Sequence, residues 1–354
     1  MTSVYKQSGV QTTEELSDFP RMLDVLRGTF KLREGKSGAP VLDFGYYANV
    51  LDLGNNLGLA ISTDGVGTKI LIAEAMRKYD TIGIDCIAMN VNDVICVGAE
   101  PIAMTDYVAV GSADGGVLSE IAIGLRRGAE LAGISIPGGE LAQIGEIVKG
   151  IDLVGSCVGL VALDRVITGR DVQPGDAVVG FASSGVHSNG LTLARDVLIG
   201  ERTARVFEHV PELGRTLGEE LLEPTTIYVK LALALLRDLH VRALAHMTSD
   251  GFLNLARVDA AVGFRIETLP ETPPIFDMIK REGAVPLADL FLVYNMGIGL
   301  CAIVPAEEAD RAVQIARAEG IDAWHIGTCT DDPDKTVHIV PAGLRSEGGH
   351  FVQA

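Results

Sequence analysis

Residues 63–69 read TDGVGTK and follow the apolar run from Leu57 to Ile61. An acid, two glycines, a hydroxyl and a lysine in so short a span are the parts a protein uses to hold a phosphate. The P-loop is excluded: Gly67 is followed by Thr68 and then Lys69, the reverse of the required order, and Ser62 stands where its first glycine belongs. The dinucleotide fingerprint fails as well, because Ile70 occupies the place of its third glycine. What remains is Asp64 at a strand end, then a permissive loop of Gly65, Gly67 and Thr68 whose N–H groups could face an anion. Lys69 would add a point charge there. An ordinary strand-to-helix turn has the same composition, so this stretch alone leaves both readings open.

Other segments extend the pattern. Asn90-Val91-Asn92-Asp93 sets polar groups inside an apolar region, where a carboxylate needs a cation or several donors, or else serves an Asx turn. Pro137-Gly138-Gly139-Glu140 places a further acid after an apolar stretch, in what reads as a glycine turn. Asp64, Asp93 and Glu140 are all oxygen ligands with no matching histidine or cysteine set, a composition that suits Mg²⁺ rather than Zn²⁺. The run from Ser183 to Gly190, SSGVHSNG, lies between an apolar strand and a helix that begins near Leu191. Ser188 or Asn189 could cap that helix, whose free N–H groups attract anions, with His187 on the same turn. A capped helix beside a surface histidine is the plainer alternative.

The elements that must position these groups can be read in outline. VLDLGNNLGLAIS at 50–62 predicts two strands around a Gly-Asn-Asn turn. PIAMTDYVAV at 101–110 and IDLVGSCVGLVAL at 151–163 predict strands, the latter buried. Val117, Ile121, Leu125 and Gly128 form a helical stripe that should end near Gly133. MGIGLCAIVP at 296–305 predicts a buried strand, and 306–320 a helix stopped by Gly320. TGRDVQPGD at 168–176 concentrates turn formers and charges, and we place the domain boundary there. The expectation is an α/β (α+β) chain with domains at 1–170 and 171–354, the first 45 residues forming a lid-like segment.

The 354 residues suffice for two domains, and 47% are hydrophobic. Formal net charge is −18, which repels nucleic acid and anionic lipid at long range, so neither is an expected partner. A divalent cation is the usual means of bringing phosphates to so acidic a protein. Five cysteines with no C-x-x-C read as reduced buried thiols, and no apolar stretch approaches a membrane span. A cytoplasmic enzyme is expected.

In their order, these segments resemble the aminoimidazole ribonucleotide synthetase family, also called phosphoribosylformylglycinamidine cyclo-ligase. The matching blocks are TDGVGTK at 63–69, GIDCIAMNVND at 83–93, GAEP at 98–101, DY at 106–107, GGE at 138–140 and SSGVHSNG at 183–190. LLEPTTIYVK at 221–230, AHMT at 245–248 and NMGIG at 295–299 continue the series over about 300 residues, and Tyr5 to Val10 is close to the family's opening. The resemblance implies a two-domain fold whose N-terminal domain dimerises through its β-sheet. It implies ATP-dependent cyclisation of formylglycinamidine ribonucleotide to aminoimidazole ribonucleotide, with ADP and phosphate released. ATP and Mg²⁺ follow as cofactors, the metal on Asp64, Asp93 and Glu140. Lys69 and His187 become the catalytic candidates. Asp64, Gly65, Gly67, Thr68, Asn92, Ser188, Asn189 and Asn295 become the contacts to ATP or substrate. A related ATP-dependent enzyme, or a non-catalytic nucleotide-binding relative, is the alternative. The chain departs from the family at Leu141-Ala142-Gln143, after the GGE block, and in its few N-terminal glycines.

Overall fold

The computed structural model describes residues 18–112 and 116–354. The match at Tyr5 to Val10 therefore lies outside the described residues, as does much of the expected lid.

The first half runs through helix α1 (Phe19–Arg27), strands β1 (Ala39–Pro40), β2 (Asn49–Gly54) and β3 (Leu57–Gly65), and helices α2 (Ile70–Met76) and α3 (Ile82–Ile95). Strand β4 (Glu100–Val110), helix α4 (Val117–Ala132) and strands β5 (Ser135–Gln143) and β6 (Ile151–Ala162) complete it. The strands form one sheet in the order β1-β2-β3-β6-β4-β5. The β2–β3 hairpin turns on Asn55 and Asn56, at φ 54° and 62°, the left-handed pair that a two-residue hairpin of matching twist requires. Strands β4 and β5 are parallel, so the chain must cross over between them, and α4 is that crossover. Its stripe of Ile121, Leu125 and Gly128 is buried, and it ends at Gly133 with φ 74°.

Helix α3 was not anticipated as a helix, because its apolar residues occur on every side. Every residue of it except Asp93 is buried. It lies across β3, β6 and β4, packs against α4 beside it, and touches the second half on its remaining side. A helix enclosed this way needs no polar face. Contact with α4 is made through glycine: a Cβ on Gly83 would overlap the backbone of Gly124 and Leu125.

The second half holds β7 (Ala177–Ala182), α5 (Leu191–Leu198), a small β8 (His209–Val210) and β9 (Arg215–Thr216) pair, α6 (Leu217–Leu221), α7 (Val229–Asp238), β10 (Ala243–His246) and β11 (Gly263–Ile266). Helices α8 (Pro274–Gly283) and α9 (Leu287–Val293), strand β12 (Ile298–Val304), helix α10 (Ala309–Ala318) and strands β13 (Ala323–Thr330), β14 (Val337–Ile339), β15 (Leu344–Glu347) and β16 (His350–Gln353) follow. Eight of these strands form a second sheet, β10-β12-β7-β13-β11-β14-β15-β16. Strand β12 is buried throughout, as its apolar run requires. Residues 168–176 connect β6, in the first sheet, to β7, in the second.

Two strands differ from expectation. Strand β6 buries alternate residues only: Leu153, Gly155, Cys157, Gly159 and Val161 face α3, while Val154, Val158 and Leu160 lie on the opposite, more open face. Pro137 to Glu140 form no turn; they belong to β5, the edge strand of the first sheet, where Gly138, Gly139 and Glu140 are exposed.

Candidate active site

One side of α3 carries Asp85 and Met89, four residues apart, with Asn92 and Asp93 three and four residues beyond Met89, so that all four lie toward a single face. That face meets the second half. Asn92 accepts from Tyr228 N (3.0 Å) and donates to Thr226 O (2.8 Å), so its amide holds the 224–228 segment rather than remaining free for ATP. Asp85 is fully buried, and its Oδ1 accepts from Lys69 Nζ (2.9 Å), Thr225 N (2.8 Å), Thr225 Oγ1 (2.7 Å) and Ser188 Oγ (3.2 Å).

These and neighbouring contacts correct four expectations. Lys69 does not face a phosphate site: it is wholly buried, paired with Asp85, and donates to Glu223 O (2.5 Å). Ser188 does not cap α5; the N-cap of that helix is Gly190, φ 77°, which offers no side-chain cap, and the Ser188 hydroxyl turns to Asp85. Asn189 does not cap it either, and its amide nitrogen approaches Met89 Sδ at 4.0 Å. Asn295 is not free for substrate. It donates to Gly185 O and Val186 O and accepts from Ser183 Oγ and Gly297 N, which holds the loop that carries His187.

Asp64 stands at the end of β3 with its backbone tied on both sides to the Asn90 side chain of α3 (3.0 Å each). Its carboxylate accepts from Gly65 N (2.7 Å), so that N–H is not offered to a ligand. Gly67 takes φ 69° in the turn that follows, and Thr68 Oγ1 meets Thr192 Oγ1 at 3.0 Å. Burial, and then the nearby Asp93 charge, push the Asp64 carboxyl up to about 6. Asp93 Oδ1 lies 2.9 Å from His246 Nδ1, and its Oδ2 has a long contact with Ser62 Oγ (3.5 Å). Among the described residues no lysine or arginine pairs with either carboxylate. Two adjacent acids without a protein cation suit Mg²⁺, which takes one or two carboxylates and leaves its other positions to phosphate and water.

Glu140 does not join them. Asp64, Gly155, Asp106 and Gly139 form one row across β3, β6, β4 and β5. Glu140 is one residue out of that row, so its side chain points to the opposite face of the sheet. Three strand spacings, roughly 14 Å, separate it from β3. Among the described residues no group of three His, Cys, Asp or Glu side chains could hold a metal.

His187 is buried, not a surface residue, and takes φ 64°, a conformation rarely held without a reason in a non-glycine residue. Ser184 N (3.1 Å) and Thr226 N (3.4 Å) both donate to its Nε2. That nitrogen is therefore the acceptor and the proton sits on Nδ1, which is buried without a partner among the described residues. Burial, with the nearby Lys69 charge adding to it, holds the imidazole well below its usual pKa, so it is a neutral donor. Gly299 makes room for it: a Cβ there would overlap Tyr228 Oη and lie 2.6 Å from His187 Cε1. Sequence reasoning singled out neither Asp85, His246 nor Gly299 individually, although all three lie inside matched blocks.

Residues 45–161 match the family described as AIR synthase related protein, N-terminal domain, and residues 173–340 its C-terminal domain. Fold and site thus define an AIR synthase related α/β protein. The chain is 47% identical over 329 residues to a phosphoribosylformylglycinamidine cyclo-ligase of Thermococcus kodakarensis, covering 93% of this chain and 96% of that one. It is 48% identical to the enzyme of that name from Pyrococcus furiosus over the same shares, and 43% identical to that of Methanobrevibacter smithii, covering 94% and 96%. The chain belongs to the phosphoribosylformylglycinamidine cyclo-ligase family. Two solved structures share the fold: thiamine monophosphate kinase from Aquifex aeolicus (TM-score 0.62, 17% identity, 94% and 98% covered) and hydrogenase maturation protein HypE in complex with ATP (TM-score 0.58, 17% identity, 84% and 85% covered).

Proposed function

We propose that this chain uses ATP to close the imidazole ring of aminoimidazole ribonucleotide from formylglycinamidine ribonucleotide, releasing ADP and phosphate. An amide oxygen is a poor leaving group. Transfer of the γ-phosphoryl group to the formyl oxygen makes it a good one, and the amidine nitrogen then attacks that carbon as phosphate departs. The protein's part is to position the reactants and offset charge.

The observation that carries this reading is the Asp64–Asp93 pair, two carboxylates close enough for one charge to raise the other's pKa, with no lysine or arginine paired to either among the described residues. Asp64 and Asp93 would hold Mg²⁺, and the chemistry that ion would supply is to offset charge developing on the phosphoryl group. The neutral His187 donates through Nδ1–H to the oxygen on which negative charge grows. Asp85, Lys69, Thr225 and Ser188 hold the two halves in register around it. The site lies along the seam between the halves, which supports reading 1–170 and 171–354 as the two domains.

The open face of the first sheet, with Leu57, Tyr107 and Leu160 each more than a third exposed, supports a homodimer formed through that sheet. All five cysteines are free and buried, and no helix among the described residues is long and apolar enough to cross a membrane. Both features fit a cytoplasmic enzyme.

A coupled assay of ADP release, with and without formylglycinamidine ribonucleotide, tests the reaction. Release that depends on that substrate and on Mg²⁺ is expected. ADP release indifferent to the substrate, or its absence, would sink the proposal.

A further inference from the structure

We propose that His246 is the positioning residue for Asp93, directing one carboxylate oxygen into the cation site by holding the other. This rests on reading Asp93 as a cation ligand.

Asp93 is the only residue of α3 that is not buried, and it emerges where the helix meets the second half. His246, at the end of β10, is 1% exposed and places Nδ1 2.9 Å from Asp93 Oδ1. The direction of that hydrogen bond follows from its neighbours. Tyr228 N donates to the Asn92 side-chain oxygen, and Thr226 O accepts from the Asn92 nitrogen, so the Asn92 amide has a single orientation. Its nitrogen also lies 3.5 Å from His246 Nε2. A donor facing Nε2 makes that atom the acceptor and puts the ring proton on Nδ1. His246 therefore donates to Asp93 Oδ1 through Nδ1–H. Oδ2, held among the described residues by the long Ser62 contact alone, is the oxygen left for a cation.

The consequence is structural coupling. Asp93 and Asn92 are neighbours on α3, and together they engage both ring nitrogens of a residue from the other half. Without the imidazole N–H, the carboxylate would be free to rotate, and both its oxygens would take water or the cation in several geometries. A group that orients a ligand typically contributes 10–100-fold in metal affinity.

Asn and Gln separate this role from packing. Asn at 246 places its amide nitrogen near the position of Nδ1; Gln reaches toward Nε2 and cannot donate to Asp93. Both are polar and similar in bulk. Mn²⁺ binding to the full-length chain with ADP present, followed by the loss of the free-ion electron paramagnetic resonance signal, gives the affinity without turnover. We expect His246→Asn to bind Mn²⁺ within about threefold of wild type and His246→Gln to bind at least about tenfold more weakly. ADP affinity without metal should be the same in both. Equal Mn²⁺ affinities in the two variants would overturn the proposal, whatever their melting temperatures. Asp93→Asn is measured alongside. If it binds Mn²⁺ like wild type, Asp93 is not a ligand, and the reading beneath the proposal fails rather than the role of His246 alone.

Discussion

Lys69 and Asp85 form an ion pair with no solvent exposure, Nζ to Oδ1 at 2.9 Å, that joins the loop after β3 to α3 and, through Thr225 and Ser188, to the second half. Removing one partner from such a pair leaves a buried charge uncompensated, at about 3–5 kcal/mol. Lys69→Met should lower stability by about that much in denaturant unfolding. Lys69→Met with Asp85→Asn should recover part of the loss, because the remaining groups are neutral. If the single variant unfolds like wild type while its KM for ATP rises, the lysine serves the nucleotide and not the fold.

The Asp64 carboxyl, raised from 3.8 to about 6, is a destabilising charge in the metal-free fold. Its folded pKa exceeds its unfolded one, so the folded state holds the extra proton between about pH 4 and 6, and stability falls as pH rises through that window. Above pH 6 the penalty is complete, at most about 3 kcal/mol. Asp64→Asn should melt a few degrees higher than wild type at pH 8 without metal, a gain that fades toward pH 4. Added Mg²⁺ and ATP should stabilise wild type and leave Asp64→Asn nearly unmoved. Equal melting temperatures at pH 8 would remove Asp64 from the site.

His187 accepts two backbone N–H groups on Nε2 and offers Nδ1–H elsewhere. Gln can accept in place of Nε2 but cannot donate from the Nδ1 position. His187→Gln should therefore fold normally and lose one to three orders of magnitude in kcat, the range of one transition-state donor. Because burial keeps the imidazole neutral, no ionisation of His187 should appear in the wild-type kcat profile between pH 6 and 8. A drop in melting temperature with kcat intact would make the residue purely structural.

Leu160 lies on the open face of the first sheet and is 36% exposed in the single chain. If that face meets a second copy, Leu160→Glu buries charge in an apolar contact and should yield monomers by sedimentation at micromolar protein. A wild-type chain that sediments as a monomer would dismiss the dimer outright.

Much of the frame was legible in the sequence because it depends on local rules. The paired asparagines of the β2–β3 turn, the 117–128 stripe ending at Gly133, and the uninterrupted apolar run of β12 each act within a few residues. The acids at 64 and 93 were legible too, since an ionised group inside an apolar stretch demands an explanation wherever it lies. Helix α3 was not, because a helix surrounded by sheet, helix and second half shows no periodic polar face.

Which acids meet was decided by the order of strands. Spacing along the chain cannot say that β6 and β4 come between β3 and β5, nor that alternation turns Glu140 to the far face. Partner choice was decided likewise: Lys69, Ser188 and Asn295 are types that bind phosphate or substrate, yet the fold gives each a nearer protein partner, within one half for Lys69 with Asp85 and Asn295 with Ser183, and across the halves for Ser188 with Asp85. The sequence by itself determined the family, the two-domain α/β plan and a set of candidate cation-binding acids that included Glu140. Only the tertiary structure determined which polar groups remain unsatisfied once every nearby donor and acceptor has been matched, and that is the property on which the chemistry proposed for Asp64, Asp93 and His187 depends.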